Sequence, residues 1–251
     1  MRSFWDLDYG EVGFKFYGAY HFICLFIILI FGIFLYKPWK ENKTFRKIIA
    51  LTPITLEIIR LIAVLIDGHY DSSYLPFHLC LIGAQFMAVD AFYESKIIKA
   101  CLYYLFMPAA ILSLFTPGWD QVNKYSYVAI ISWIIHGINS FYPIYLVLSK
   151  EYLPKLKDIL YPIIFILVTL PIIKILNKKL NANYYFIEEP YEGSALATIK
   201  NVFPNYILGL FIVTVFVMVL TFFIYKSIVS LRKNKTRPWP RLFYFSEAIV
   251  L

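Results

Sequence analysis

Seven apolar runs, each of about 20 residues, constrain the fold of this chain more than any other feature. A helix rises about 1.5 Å per residue, so about 20 residues cross the ~30 Å hydrocarbon core of a bilayer. The sequence therefore predicts an all-α membrane protein, a bundle of seven transmembrane helices forming one polytopic domain over residues 1–251. The predicted spans cover about 19–36, 47–66, 75–93, 97–115, 126–148, 158–176 and 205–225.

Composition and charge limit the partners of such a bundle. The chain is 60% hydrophobic and 20% aromatic, and its mean hydropathy is +0.66, which exceeds what a soluble core of this size uses. Its net charge of +8 comes from basic residues that lie mostly in short connections and near the C-terminus. Basic residues in those places contact anionic lipid and orient the chain. We therefore predict membrane lipid as the partner and no nucleic acid, and the oligomeric state stays open.

The basic residues also predict the orientation of the bundle. Sixteen Lys and Arg residues lie on the side of the 37–47 connection and the C-terminal tail, seven lie on the opposite side, and Arg60 lies within a span. The side with more basic residues is normally cytoplasmic. The N-terminus is thus predicted to be outside and the C-terminus cytoplasmic, which puts the start of the third span in the outer half of the membrane.

The fifth span carries a stripe of polar residues. Ser132, His136, Asn139 and Ser140 fall within a sector of about 100° on a helix. Lipid tails offer no hydrogen bonds, so this stripe is predicted to face other helices or an internal cavity. Counted from Ser126, His136 lies about 15 Å deep, where it either bonds across helices or serves a function.

The third span opens with Leu75-Pro76-Phe77-His78-Leu79-Cys80. Proline is tolerated in the first turn of a helix, so Pro76 predicts a helix start. In a regular helix Cys80 points about 200° away from His78, and the two side chains would share one narrow site only if the backbone near Pro76 were irregular. Because a buried cysteine is most often an inert hydrophobe, spacing alone favours His78 as the site residue.

Three further ionisable residues lie within apolar runs. Glu57 and Arg60 are spaced i,i+3 in the second span and are predicted to pair, either to hold the bundle or to bind a charged headgroup or ion. His21 opens the first span and either reaches the same outer pocket as His78 or lies at the water interface. No phosphate-binding glycine loop, paired-cysteine zinc spacing or nucleophile elbow occurs, so we predict no cofactor and no metal site.

The longest connection, 177–204, lies on the predicted outer side. It contains the run Asn183-Tyr184-Tyr185, and its aromatic residues favour the membrane interface or a cap over the bundle.

Taken together, the Leu75–Cys80 element, His21, His136 and Asn183-Tyr184-Tyr185 before Pro190 resemble the YwaF-like integral membrane proteins. That family is typical of low-GC Gram-positive bacteria and is similar to an animal transmembrane acyltransferase acting on phospholipids. The resemblance implies a bacterial plasma-membrane protein of lipid metabolism, with Cys80 as nucleophile and His136 as base.

Two functions are therefore open at this stage. The first is lipid acyl transfer or acyl-ester hydrolysis by Cys80 and His136 in an outer-half pocket. His78 and His21 are then alternative bases, and Asn139, Ser140, Glu57, Arg60, Asn183 and Tyr184 are supporting residues. The second is a non-enzymatic transporter or ligand-binding protein that holds a polar solute or proton with Glu57, Arg60 and the histidines.

Overall fold

The computed structural model describes residues 4–5 and 13–235. The described part of the chain is helical and contains no strand. Its α-helices, numbered α1 to α9 in chain order, are Ala19–Glu41, Lys43–Ile66, Leu79–Asp90, Lys96–Cys101, Met107–Phe115, Tyr127–Leu148, Leu160–Leu180, Ala195–Val202 and Tyr206–Lys235.

Seven of the helical segments are long and apolar enough to cross a membrane, which confirms the predicted number of spans. The third comprises 72–90, and the fourth comprises 96–115. The orientation of the bundle stays a prediction. Arg2, Arg237 and Arg241, which contribute to the charge bias, lie outside the described residues.

Several helix ends follow from local sequence. Asn42 caps α2, because its side chain accepts hydrogen bonds from the backbone N–H groups of Thr44 and Phe45 at 2.9 and 3.1 Å. Ser126 caps α6 in the same way by accepting from Ala129 N at 3.3 Å. Asn181 ends α7 in the left-handed conformation, with φ 49° and ψ 46°.

The predicted helix start at Pro76 is wrong, because α3 begins only at Leu79. Leu75 is extended, as expected before a proline, and His78 is extended as well, with φ −65° and ψ 146°. Between them Phe77 N donates to Leu75 O at 2.8 Å, a tight turn rather than a helical bond. The rings of Phe77 and His78 pack against Tyr184, a contact across the chain that holds this segment out of the helix.

The fourth span is not a uniform helix. Between α4 and α5 the residues Leu102–Phe106 form a π-helical turn, in which Met107 N donates to Leu102 O five residues earlier. Pro108 has no N–H to give to the carbonyl of Tyr104, so the regular bond pattern cannot continue there. Such turns are frequent at functional sites.

The 177–204 connection is more ordered than its length suggested. It contains the 3-10 turn Tyr184–Phe186 and the short helix α8. Tyr184 is fully buried, its backbone N–H and C=O both bond the Asn177 side chain, and its hydroxyl donates to Ser72 O. The aromatic run is therefore a cap over the bundle, one of the two placements predicted. Beneath it α6 lies centrally, packed against α1, α2, α3 and α5.

Candidate functional site

A cavity of about 610 Å³ lies among the spans, beneath the cap. Its volume is in the range of small-molecule sites. Polar groups line one part of it, and aliphatic residues of α7 and α9 line another. The polar and ionisable lining residues include Arg60, Asp71, Ser73, His78, Cys80, Ser113, Ser132 and His136.

Cys80 lies in the first turn of α3, on the cavity wall. Its Sγ is 3.8 Å from Ser113 Oγ. Ser113 in turn donates to Ala109 O at 3.1 Å, so the Cys80 thiol is the donor of the sulfur–oxygen contact. Asn139 of α6 holds the backbone here, because its Nδ2 donates to Cys80 O at 2.7 Å.

His136 lines the same cavity from α6. Its Nδ1 is 2.7 Å from Ser132 O. A carbonyl oxygen can only accept, so Nδ1 carries the proton and Nε2 of the neutral ring keeps its lone pair. Trp119 stacks on the imidazole with ring centroids 4.6 Å apart. The ring is thus fixed in orientation and tautomer with one basic nitrogen unused by that bond.

The structure brings two histidines and a cysteine together, including a pair, His78 and Cys80, that a regular helix would separate. Cys80, His78 and His136 all line the one cavity. His78 does so because it lies in the extended segment before α3, which removes the 200° offset from Cys80. Its ring is 5.1 Å from that of Tyr184 and 5.4 Å from that of Phe186, so it forms part of the contact between α3 and the cap.

The polar stripe of α6 faces the protein interior, as its angular clustering predicts. Ser132, Asn139 and Ser140 are buried, and His136 lines the cavity. Ser140 bonds only within its own helix in the described structure, with Oγ donating to His136 O at 2.7 Å.

Glu57 and Arg60 form the predicted ion pair. Arg60 Nη2 is 2.8 Å from Glu57 Oε1 and 2.6 Å from Oε2. Arg60 lines the cavity and reaches Ser132 Oγ with Nη1 at 3.4 Å, whereas the buried Glu57 is not among the lining residues.

His21 does not reach this cavity. It is fully buried, its Nδ1 accepts from Tyr17 N at 3.0 Å, and its Nε2 donates to Leu114 O at 2.8 Å. With both nitrogens bonded to backbone, the ring joins the start of α1 to the end of α5. Neighbouring Cys24 lines a separate apolar cavity of about 480 Å³ between α1 and α6.

Asn183 organises the cap rather than the cavity. Its Nδ2 donates to Glu189 O at 2.7 Å, and its Oδ1 accepts from Glu188 N at 3.1 Å. These bonds close the turn that follows Tyr185 and Phe186, both of which line the cavity.

Sequence reasoning missed Ser113, Trp119 and Tyr191 as lining residues. Tyr191 donates to Asp120 Oδ1 at 2.5 Å, and burial, aided by this bond, raises the pKa of the phenol, which therefore stays protonated. Tyr185 is held at φ 60°, an uncommon conformation for a non-glycine residue. Nothing local in the sequence signals these placements, since each depends on a partner far along the chain.

Comparison with known proteins places these features in one family. A family model described as the TMEM164 family matches residues 16–226, a range that contains every residue lining the cavity. No match was found among curated proteins or among solved structures.

Proposed function

This chain belongs to the TMEM164 family, and on that premise we propose that it transfers or hydrolyses lipid acyl groups within the membrane. We also propose the finer assignments implied by the resemblance, namely YwaF-like membership and a place in a bacterial plasma membrane. One observation carries the catalytic proposal. The thiol of Cys80 and the imidazole of His136, on different helices and 56 residues apart in sequence, line the same cavity.

The proposed chemistry assigns one role to each residue. Nε2 of His136 takes the thiol proton of Cys80 as the sulfur attacks the carbonyl carbon of a lipid ester. The C–O bond breaks, and the leaving alcohol takes the proton from the imidazolium. The acyl group is left on Cys80 as a thioester. A second lipid hydroxyl then attacks the thioester in a transfer, or water attacks it in a hydrolysis, and the thiol is restored.

The rest of the lining supports a lipid as the substrate. Beyond the polar part, the wall is built mainly of aliphatic and aromatic side chains, which solvate a hydrocarbon chain. Those from α7 and α9 are Ile166, Leu170, Ile207, Leu210, Phe211, Val213 and Val217.

The direct test is to trap the acyl-enzyme. Purified protein is incubated with phospholipid carrying a labelled acyl chain, and label released from the protein by hydroxylamine is measured. We expect such label on the wild type and none on the Cys80→Ala variant.

Cys24→Ala is the matched control, because Cys24 is also a partly buried thiol in a span but lines the other cavity. It should label as the wild type does. Equal labelling of the wild type and the Cys80→Ala variant would overturn the nucleophile assignment.

A transporter or ligand-binding protein is the second candidate, and the Glu57–Arg60 pair beside the cavity favours it. Ionisable groups inside membranes often mark pathways for polar solutes. A transporter or ligand-binding protein should turn over no phospholipid, whatever its headgroup.

A further inference from the structure

The guanidinium of Arg60 is incompletely bonded where it meets the cavity. It has five N–H donors. Nη2 is engaged by Glu57, whereas Nη1, which has two N–H groups, reaches one acceptor among the described residues, Ser132 Oγ, at a long 3.4 Å. A buried donor without an acceptor is costly, so this part of the wall favours a ligand that brings oxygen atoms.

Arg60 is the source of positive potential in the lining of the cavity. Among the described lining residues Arg60 is the one cation and Asp71 the one anion. The carboxylate of Asp71 already has a hydrogen-bond partner, because its Oδ1 accepts from Ser73 N at 2.6 Å. Glu57 pairs with Arg60 without being a lining residue, which holds the guanidinium in place beside the cavity.

Arg60 also lies at a depth that suits a ligand reaching from it to His136. It is six residues before the end of α2, about 9 Å along the helix, and Ser132 is five residues into α6, about 8 Å. His136 is one turn deeper than Ser132, about 6 Å further along α6. A ligand oxygen at Arg60 is therefore separated from the proposed base by about one helical turn, and in a phospholipid the phosphate is separated from the nearer ester by a few bonds.

We propose that Arg60 binds the phosphate of a phospholipid acyl donor, with Ser132 beside it. This inference rests on the proposed acyl transfer and adds to it the residue that holds the phosphate of the headgroup. Arginine suits this role because its planar fork matches phosphate oxygens and stays charged when buried. Bound there, the phosphate directs the ester toward Cys80 and the chain toward α7 and α9.

The test measures binding, so that it does not depend on turnover. The detergent-solubilised Cys80→Ala protein is titrated with a short-chain phosphatidic acid, with the diacylglycerol of the same chains, and with inorganic phosphate. Quenching of tryptophan fluorescence, to which Trp119 in the cavity wall contributes, reports binding. We expect the phosphatidic acid to bind about 10- to 100-fold more tightly than the diacylglycerol, the range for hydrogen bonds to a charged group.

The Arg60→Gln variant alone would leave Glu57 buried and unpaired, so the change is made with Glu57→Gln in the same chain. This double variant should bind the two lipids equally, with unchanged affinity for the diacylglycerol. Arg46 and Glu151 form an ion pair away from the cavity, and replacing both by Gln is the matched control, which should keep the preference. If the double variant does not fold, Arg60→Lys replaces it, and at least a fivefold loss of preference is expected.

Equal binding of both lipids by the parent protein, or a preference kept in the Arg60 variants, would overturn the phosphate site. Binding of inorganic phosphate as tight as that of the phosphatidic acid would overturn its assignment to a lipid. If acyl transfer fails but the preference is found, the site stands. If neutral esters are turned over as fast as phospholipids, acyl transfer stands and the site does not.

Discussion

Two regions of this bundle contain a histidine and a cysteine inside membrane spans, and they differ in how the histidine is bonded. At the start of α1, His21 has a backbone partner on each ring nitrogen. In the cavity, His136 gives one nitrogen to Ser132 O and presents its ring beside Trp119. Residue type therefore does not separate a structural histidine from a candidate catalytic one, whereas the completeness of its hydrogen bonding does.

The cysteines repeat the contrast. Cys24 lines a cavity that is almost wholly apolar, and Cys80 lines one that also holds two histidines, four serines and an arginine. A thiol without a nearby base is a small hydrophobe, and the same thiol beside an imidazole can react. The two cysteines therefore differ in the residues that line the cavity around each thiol, and not in the thiol itself.

Replacing each histidine by glutamine should give the largest separation between the regions. His136→Gln removes the basic nitrogen and should lower acyl transfer by about 10²- to 10⁴-fold, the usual contribution of a general base. His21→Gln should leave the rate per folded molecule within about twofold of wild type. Initial rates with labelled phospholipid measure both, and an equal loss from the two changes would remove the distinction drawn here.

Replacing each histidine by leucine should reverse the order when stability is measured. His21→Leu leaves the buried carbonyl of Leu114 without its donor and should cost about 1–3 kcal/mol. His136→Leu removes a side-chain bond within one helix and should cost about 1 kcal/mol or less. Thermal unfolding in detergent gives the comparison, and a greater loss for His136→Leu would contradict it.

Asn139 and Ser140, which are adjacent on α6, allow a finer comparison. Asn139→Ala breaks the bond to Cys80 O, a contact between helices, and should cost about 1 kcal/mol and slow acylation of Cys80 several-fold. Ser140→Ala removes a bond to His136 O inside α6 and should change both quantities little. Equal effects on acylation would mean that Asn139 does not position the thiol.

The smallest effect on stability is expected from the changes that test the orientation of the bundle in the membrane. Lys43→Cys and Glu188→Cys replace exposed side chains and should change stability by less than about 0.5 kcal/mol. With the native cysteines replaced, an impermeant maleimide added to intact cells should label position 188 and not 43. Labelling of position 43 from outside would invert the predicted orientation.

Sequence was sufficient for the spans, because each depends on a run of apolar residues that must be about as long as the bilayer is thick. It was also sufficient for the inward face of α6 and for the Glu57–Arg60 pair, since both follow from helical spacing within one segment. It was not sufficient for the start of α3. There the rings of Phe77 and His78 pack against Tyr184, more than 100 residues later, and this contact overrides the preference of Pro76 for a first helical turn.

The candidate site depended on the same long-range contact. Helical spacing predicts that the side chains of Cys80 and His78 point in different directions. Both line one cavity because the segment before α3 is extended rather than helical. Ser113, the partner of the thiol, lies in an apolar run with no local sign of its role.

The π-helical turn at Leu102–Phe106 decides where the site depends on the number of residues in the chain. A π-helical turn closes its hydrogen bond five residues back and so holds one residue more than an α-helical turn. Deleting one residue of 102–106 allows an α-helical turn to take its place, with the helices on either side kept in register. Deleting one residue of 109–112 instead rotates Ser113 by about 100° away from Cys80, although every residue of the site is still present. Homologues that keep the cysteine and the histidine should therefore keep the number of residues between Pro108 and Ser113.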